Sequence, residues 1–436
     1  MSGRDRYLPD VDFWSGGDGA DRTMRKAEAL VAEGKALHAR GRFDEDIEAC
    51  RRAVALCPQR ATFHNQLAEA LTHRGFEYIY NLALCDELRQ KGHIDEAIRE
   101  WRQAIRIGWS GYGIQFAIAL ALTSLGNYDE AAKYMRIATD LKTQEDYPHH
   151  WATYGAAGES RGPDFMIIGA TKCGTTSLYE YMKGHPQVLP AILKEIDYFR
   201  LPERGRQWYL SHFPRIPDAG VRFVTGEAST CNLCLSDCKD RVLADYPSTR
   251  LIALLRDPVD KAISHFHHDL KAGFEHRTLE EAIAQELDIL EARYRYPWED
   301  PETFWKTQRG YVWSSMYAYF LEDWLTVFPQ EQLLVLLSED LYTKPAETTA
   351  RVYAHLGLPD HRLASYDIHY KGDYEKKVDP RLRERLARFF APHNARLEEI
   401  LGRRLPWQAP ARGQASTRRL APRRRQAYVM EKVAVQ

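Results

Sequence analysis

The 436-residue chain has almost no net charge, with 60 Lys and Arg against 61 Asp and Glu. A chain so balanced does not hold nucleic acid or an anionic membrane through its overall field, so any anion it takes is taken at a local site. Cysteine is sparse: seven residues are scattered along the chain, an odd number that fits no disulfide framework. Long apolar runs are missing as well. The longest, around Phe116 to Leu125, is too short to cross a bilayer, which needs about 20 residues. The opening MSGRDRYLPDVDFW carries charges where a secretory signal needs an apolar core. Together these absences predict a cytoplasmic protein with no membrane and no nucleic-acid partner. What remains is an ordinary globular mixture, 44% hydrophobic and 28% charged, which excludes wholesale disorder. At roughly 150 residues per domain the length implies two or three domains.

The first third of the chain repeats itself. Gly41 and Gly75 are 34 residues apart, as are Gly92 and Gly126. The text GRFDEDI after Gly41 returns as GHIDEAI at Gly92 and GNYDEAA at Gly126. Ala53, Ala104 and Ala138 each stand twelve positions past their glycine, and Gly34, Cys85 and Ala119 stand seven before it. Small residues at such offsets let two antiparallel helices approach closely, with the glycine turning the chain between them. This pattern resembles the tetratricopeptide (TPR) repeat, a 34-residue helix–turn–helix. Asp46 departs from it where Ala97 and Ala131 are small, and the interval from Gly75 to Gly92 is half a repeat. The stretch from Ala61 to Gly75 therefore reads as a first helix whose partner is missing or has been rewritten as the first helix of the next unit.

The periodicity stops between about Gln144 and Pro163, a stretch holding Gly155, Gly158 and Gly162, and a domain join is expected there. Beyond it, short apolar runs at Phe165–Ile168, Arg222–Thr225, Leu251–Leu255 and Leu333–Leu337 alternate with helical patterns. That alternation predicts an α/β domain, a mostly parallel sheet with flanking helices. The expected layout is a lead over 1–21, helical repeats over 22–143, a linker over 144–163, the α/β domain over 164–407 and a basic tail over 408–436.

Two strand ends carry the chemistry. Phe165–Ile168 runs into Gly169-Ala-Thr-Lys172-Cys173-Gly174-Thr175-Thr176-Ser177 and then into a helix. A strand, a glycine loop and a helix N-terminus bring backbone N–H groups and the helix dipole to bear on one anion, with a lysine and hydroxyls beside them. The nucleoside-triphosphate loop G-x-x-x-x-G-K-[ST] fails on register, because Lys172 precedes Gly174 instead of following it. The second strand, Leu251–Leu255, leads into Arg256-Asp257-Pro258 and a helix carrying Ser264. Guanidinium and hydroxyl together suit a second phosphate. Two such grips on neighbouring strand ends fit a nucleoside with phosphates at both ends.

Lys172-Cys-Gly-Thr-Thr-Ser177 resembles the 5′-phosphosulfate loop of sulfotransferases that use 3′-phosphoadenosine 5′-phosphosulfate (PAPS), and Arg256-Asp-Pro…Ser264 resembles their 3′-phosphate element. HPQVLPAILKEIDYF from His185, GEAST from Gly226, SHF and KAGFE between Ser264 and Glu275, FPQEQLLVLLSEDL from Phe328 and VDPRLRERLARFFAPHNARLEEILGR from Val378 are similar to the heparan-sulfate-type branch. The resemblance runs in order from Asp164 to Trp407. It implies PAPS as donor, 3′-phosphoadenosine 5′-phosphate as product and no metal. It further implies that Lys172 stabilises charge at the bridging oxygen, that the loop from Cys173 to Ser177 holds the 5′ phosphate, and that Arg256 and Ser264 hold the 3′ phosphate. Lys371-Gly372 resembles a late element on that same phosphate. Glu195 is the implied general base, with burial or Asp197 raising its pKa; its plain alternative is a surface carboxylate paired with Lys194. Lys194, Asp197 and Glu227 are expected on the acceptor side. Asp197 stands where glycan-modifying relatives commonly have histidine, which leaves the acceptor open.

Cys231, Cys234 and Cys238, and His265, His267 and His268, invite a metal reading, but neither set has a ligand spacing to complete it, and both are expected to pack structurally. The whole reads as a cytoplasmic bacterial sulfotransferase acting on a hydroxyl, less readily an amine, of a small-molecule, glycan or secondary-metabolite acceptor. Recruitment of a protein tyrosine or carrier-tethered acceptor by the repeats, self-association through them, a TPR scaffold with a silent catalytic domain, and a kinase-like site stay as alternatives.

Overall fold

The computed structural model describes residues 18–73, 82–218, 220–235, 237–292, 310–367 and 378–407. Lys371 and Gly372, and the arginine-rich tail, lie outside the described residues. The chain opens with helices α1 (Asp18–His38), α2 (Phe43–Leu56), α3 (Ala61–Leu71), α4 (Leu82–Gln90), α5 (His93–Ile107), α6 (Tyr112–Ser124) and α7 (Tyr128–Asp146). Gly41, Gly92 and Gly126 turn the chain between helices with φ of +73°, +69° and +80°, a backbone region open to glycine at no steric cost. Ala53, Ala104 and Ala138 are fully buried, which lets α1 pair with α2 and α6 with α7 at close range. In the first unit Asp46 is buried against Gly34, where a Cβ would collide with the carboxylate. Cys50 and His38 partner that carboxylate.

The helix expected to lack a partner has one. α3 packs along α5, and the short α4 makes the slighter contact with α5. The chain inserts α4 between the two halves of a pair, a rearrangement to which a 17-residue glycine interval is blind.

After α8 (Pro148–Tyr154), four parallel strands form a sheet in the order β2-β1-β3-β4, with β1 Phe165–Gly169, β2 Gly226–Glu227, β3 Arg250–Leu255 and β4 Leu333–Leu337. β1, β3 and β4 fall where the apolar runs predicted them. β2 begins after the run Arg222–Thr225, since strand pairing starts where Gly226 lies against Phe165 and any side chain would strike its carbonyl. Val224 makes an isolated bridge opposite Val188, its N–H donating to the Gln187 carbonyl and its carbonyl accepting from the Leu189 N–H, both at 2.9 Å. From β1 the chain steps to β2 on one side and then crosses to β3 on the other. The switch between β1 and β3 is the place where open parallel sheets bind ligands, outside their carboxyl ends.

The repeats and the sheet share one continuous apolar core, which runs from Trp101 and Ile118 into Phe165 and Ile252. Polar contacts reinforce it. Trp208 Nε1 donates to Thr123 Oγ at 2.8 Å, Thr139 Oγ donates to the Ser211 carbonyl at 2.8 Å, and Arg136 donates to the carbonyls of Phe213 and Leu210. α8 sets His150 and Tyr154 edge-on to Phe223.

Candidate active site

The loop between β1 and α9 (Thr175–Lys183) is tied down by backbone bonds: Ala170 N–H donates to the Leu254 carbonyl at 2.8 Å, and Cys173 N–H to Ala170 at 3.2 Å. Lys172 has φ +66° and Gly174 φ +86°, so the lysine sits in the left-handed region that non-glycine residues seldom adopt. Gly174 caps α9, and a Cβ there would strike the Tyr342 hydroxyl. Thr175 and Ser177 are buried in the first turn, whose N–H groups have no carbonyl partner within the helix. Cys173 turns its side chain into the core, 3.6 Å from the Tyr317 hydroxyl, and burial pushes its thiol up to about 11. Its contribution to the loop is therefore its backbone.

Arg256 leaves the end of β3, next to that loop. Asp257 caps α10 (Pro258–Lys271) by accepting from the N–H groups of Val259 and Asp260, and Pro258 fills the first helical position. This fixes the helix that buries Ser264 in its second turn. Arg256 has Asp260 at 3.9 Å. Burial draws the Lys172 ammonium below its ordinary pKa; Asp269 and Glu195 favour its charge and Arg256 opposes it. Lys172, Arg256 and Glu195 thus share one electrostatic neighbourhood.

Glu195 is exposed, its side chain 45% accessible, and it is paired with Lys194. The burial expected of it belongs instead to Glu227, at 0% exposure. Burial lifts the Glu227 carboxyl to about 7, with the Asp197 charge adding to the rise and hydrogen bonds from Ser229 and Tyr209 opposing it. Tyr209 donates to its Oε1 at 2.5 Å and Ser229 donates to its Oε2. Ser229 Oγ in turn accepts from the N–H groups of Ile196 at 3.1 Å and Asp197 at 3.0 Å. Glu227 therefore acts through Ser229 to hold the backbone beside Glu195. Asp197, at φ +56°, directs its carboxylate to Arg200 and the Cys231 thiol.

His268 also feels the charges of Lys172 and Glu195. It is exposed one turn beyond Ser264, and desolvation followed by the Lys172 charge lowers its pKa. The i, i+4 spacing from Ser264 was the available signal. Tyr342, beside Gly174 and within the field of Arg256, had no sequence signal. Burial raises the thiols of Cys231, Cys234 and Cys238. Among the described residues no three His, Cys, Asp or Glu side chains converge as a ligand set, and no helix is long and apolar enough to cross a membrane.

Residues 162–384 match the sulfotransferase domain family, and residues 20–61 and 82–146 match the tetratricopeptide repeat. The human bifunctional heparan sulfate N-deacetylase/N-sulfotransferase 3 is 27% identical over 270 residues, 55% of this chain and 30% of that protein. The human heparan sulfate glucosamine 3-O-sulfotransferase 5 is 28% identical over 271 residues, 56% of this chain and 74% of that protein. A crystal structure of a sulfotransferase from Alicyclobacillus acidocaldarius shares 30% identity and covers 56% of this chain and 97% of its own, with a TM-score of 0.44.

Proposed function

The chain belongs to the sulfotransferase domain family, and from that premise we propose that it transfers the sulfuryl group of PAPS to a hydroxyl of a glycan or secondary-metabolite acceptor. The supporting observation is that two cations, Lys172 and Arg256, stand together at adjacent strand ends with the carboxylate of Glu195 in the same field. Like charges so placed repel, and a polyanionic donor between them relieves that repulsion. The loop suits such a donor: Gly174 makes the left-handed turn into α9, whose first turn offers N–H groups beside the buried Thr175 and Ser177. The names of the relatives carry heparan sulfate, which favours a glycan.

In the proposed reaction the acceptor oxygen attacks sulfur in line with the bridging S–O bond. A new S–O bond forms as the old one breaks. The acceptor proton passes to Glu195, and the bond pair leaves with 3′-phosphoadenosine 5′-phosphate. Lys172 offsets the charge that develops on the bridging oxygen, Cys173 to Ser177 hold the 5′ phosphate, and Arg256 and Ser264 hold the 3′ phosphate. Lys194 orients Glu195, while Glu227 and Asp197 shape the segment that carries it. The catalytic unit proposed is 164–407, preceded by the repeats over 22–143.

Titration with 3′-phosphoadenosine 5′-phosphate and with ATP tests the reading. Selective binding of the first supports it, comparable binding of both points to a kinase-like site, and binding of neither points to a scaffold.

A further inference from the structure

A short helix, α11 (Ser338–Thr343), leaves the carboxyl end of β4 and fastens the two strand-end loops to each other. Ser338 Oγ lies 2.5 Å from the Cys173 carbonyl and 3.0 Å from the Leu255 carbonyl, and donates to that pair. Glu339 Oε1 accepts from the Asp257 N–H and from Trp407 Nε1, both at 3.0 Å. Tyr342 stands four residues after Ser338, so the two share one face of the helix. Its hydroxyl lies over Gly174, in the space that a side chain on that residue would fill. Resting on the proposed transfer reaction, we propose that Tyr342 is a donor-binding residue, its phenol O–H donating to the 5′ phosphate at the start of α9.

Position comes first. The residue that caps a helix normally turns its side chain over the free N–H groups of the first turn. Gly174 occupies that capping position in α9 and has no side chain to offer. The Tyr342 hydroxyl fills the same space from a different element. An anion drawn to those N–H groups therefore meets the phenol as well. The seat is firm, because Ser338 ties the helix that carries Tyr342 to the residue just before Gly174.

The surroundings set the chemistry. Ser338 is buried, as a brace between loops should be, whereas Tyr342 is 38% exposed and open to a ligand arriving from solvent. Ser177, buried in the first turn of α9, donates to the phenol oxygen. A phenol that accepts one hydrogen bond still has its own proton to give. Burial raises the phenol above its ordinary pKa, and the Arg256 charge opposes that rise. At neutral pH the group is therefore a protonated donor. It stands within the field of Arg256, so it faces the gap between the two proposed phosphate grips. The hydroxyl supplies a neutral donor to a charged acceptor, a stronger bond than one between neutral partners.

The test uses the full chain and calorimetry with three probes: adenosine 3′,5′-bisphosphate, adenosine 5′-monophosphate and adenosine 3′-monophosphate. Tyr342→Phe keeps the ring and removes only the hydroxyl. The expected result is binding of the bisphosphate and the 5′-monophosphate about tenfold weaker than in wild type, the scale of one lost hydrogen bond to a charged group. The 3′-monophosphate binds as in wild type. Unchanged affinity for all three probes overturns the role of Tyr342 and leaves the donor site standing. So does an equal loss on all three, which marks a loosened brace, or a loss on the 3′-monophosphate that spares the 5′-monophosphate. Failure of the wild-type protein to bind the bisphosphate overturns the transfer reading and the role of Tyr342 with it.

Discussion

Glu227→Gln isolates the buried carboxyl that braces the Glu195 segment. Its pKa moves from the ordinary 4.5 to about 7 on folding. Between those values the folded protein keeps a proton that the unfolded chain has lost, so stability falls as pH rises through the window and the loss is complete above about 7. At about 1.4 kcal/mol per pKa unit the full effect is on the order of 3 kcal/mol. Glu286, also fully buried and lifted to about 7, contributes in the same direction. The wild-type protein therefore loses stability from pH 5 to pH 8 through two groups, and Glu227→Gln removes one of them. The amide carries a donor where Tyr209 or Ser229 expects an acceptor, which costs about 1–3 kcal/mol at every pH. The variant is thus less stable than wild type at pH 5, and the two curves converge or cross by pH 8. Urea unfolding at pH 5, 6, 7 and 8 measures this directly. Curves that stay parallel would refute the assignment of a buried, proton-holding Glu227.

Glu195→Gln keeps the shape but removes the basicity, so turnover with an alkyl hydroxyl acceptor falls by about 10²–10⁴ while nucleotide affinity is unchanged. His268→Ala is compared on the same acceptor: its lowered pKa leaves a neutral imidazole able to take a proton, and if it proves the more damaging change the base is His268. Lys172→Ala lowers turnover a hundredfold or more, on the scale of one lost transition-state charge stabiliser at roughly 3 kcal/mol, and steady-state kinetics at saturating donor read this out. Thr123→Val leaves the Trp208 indole N–H without its acceptor in the junction between repeats and catalytic domain. Unfolding should show a loss of about 1–3 kcal/mol, against none if the two parts fold independently.

The strands of the sheet were legible where burial turned the text into plain apolar runs, throughout Leu251–Leu255 and, with Leu334 and Val335 half-buried, at Leu333–Leu337. The loop at Lys172 and the strand end at Arg256 were legible because their chemistry is local, a few residues around a turn. The repeat glycines were legible for the same reason. What escaped depends on contacts between distant segments. The α3–α5 pairing skips an intervening helix. The burial of Glu227 is made by Tyr209 and Ser229 closing over it. The seating of α7 on residues 208–215 joins stretches more than 70 residues apart. His268 comes under the influence of the Lys172 and Glu195 charges from a helix, α10, whose start is set by the Asp257 cap.

The central claim is that the ends of β1 and β3 grip the two phosphates of one nucleotide. The most direct measurement compares the affinity of wild type and Arg256→Ala for adenosine 3′,5′-bisphosphate and for adenosine 5′-monophosphate. The account predicts that wild type favours the bisphosphate at least tenfold, and that Arg256→Ala erases the preference by weakening the bisphosphate alone. Equal affinities in wild type, or a preference that persists in Arg256→Ala, would contradict it.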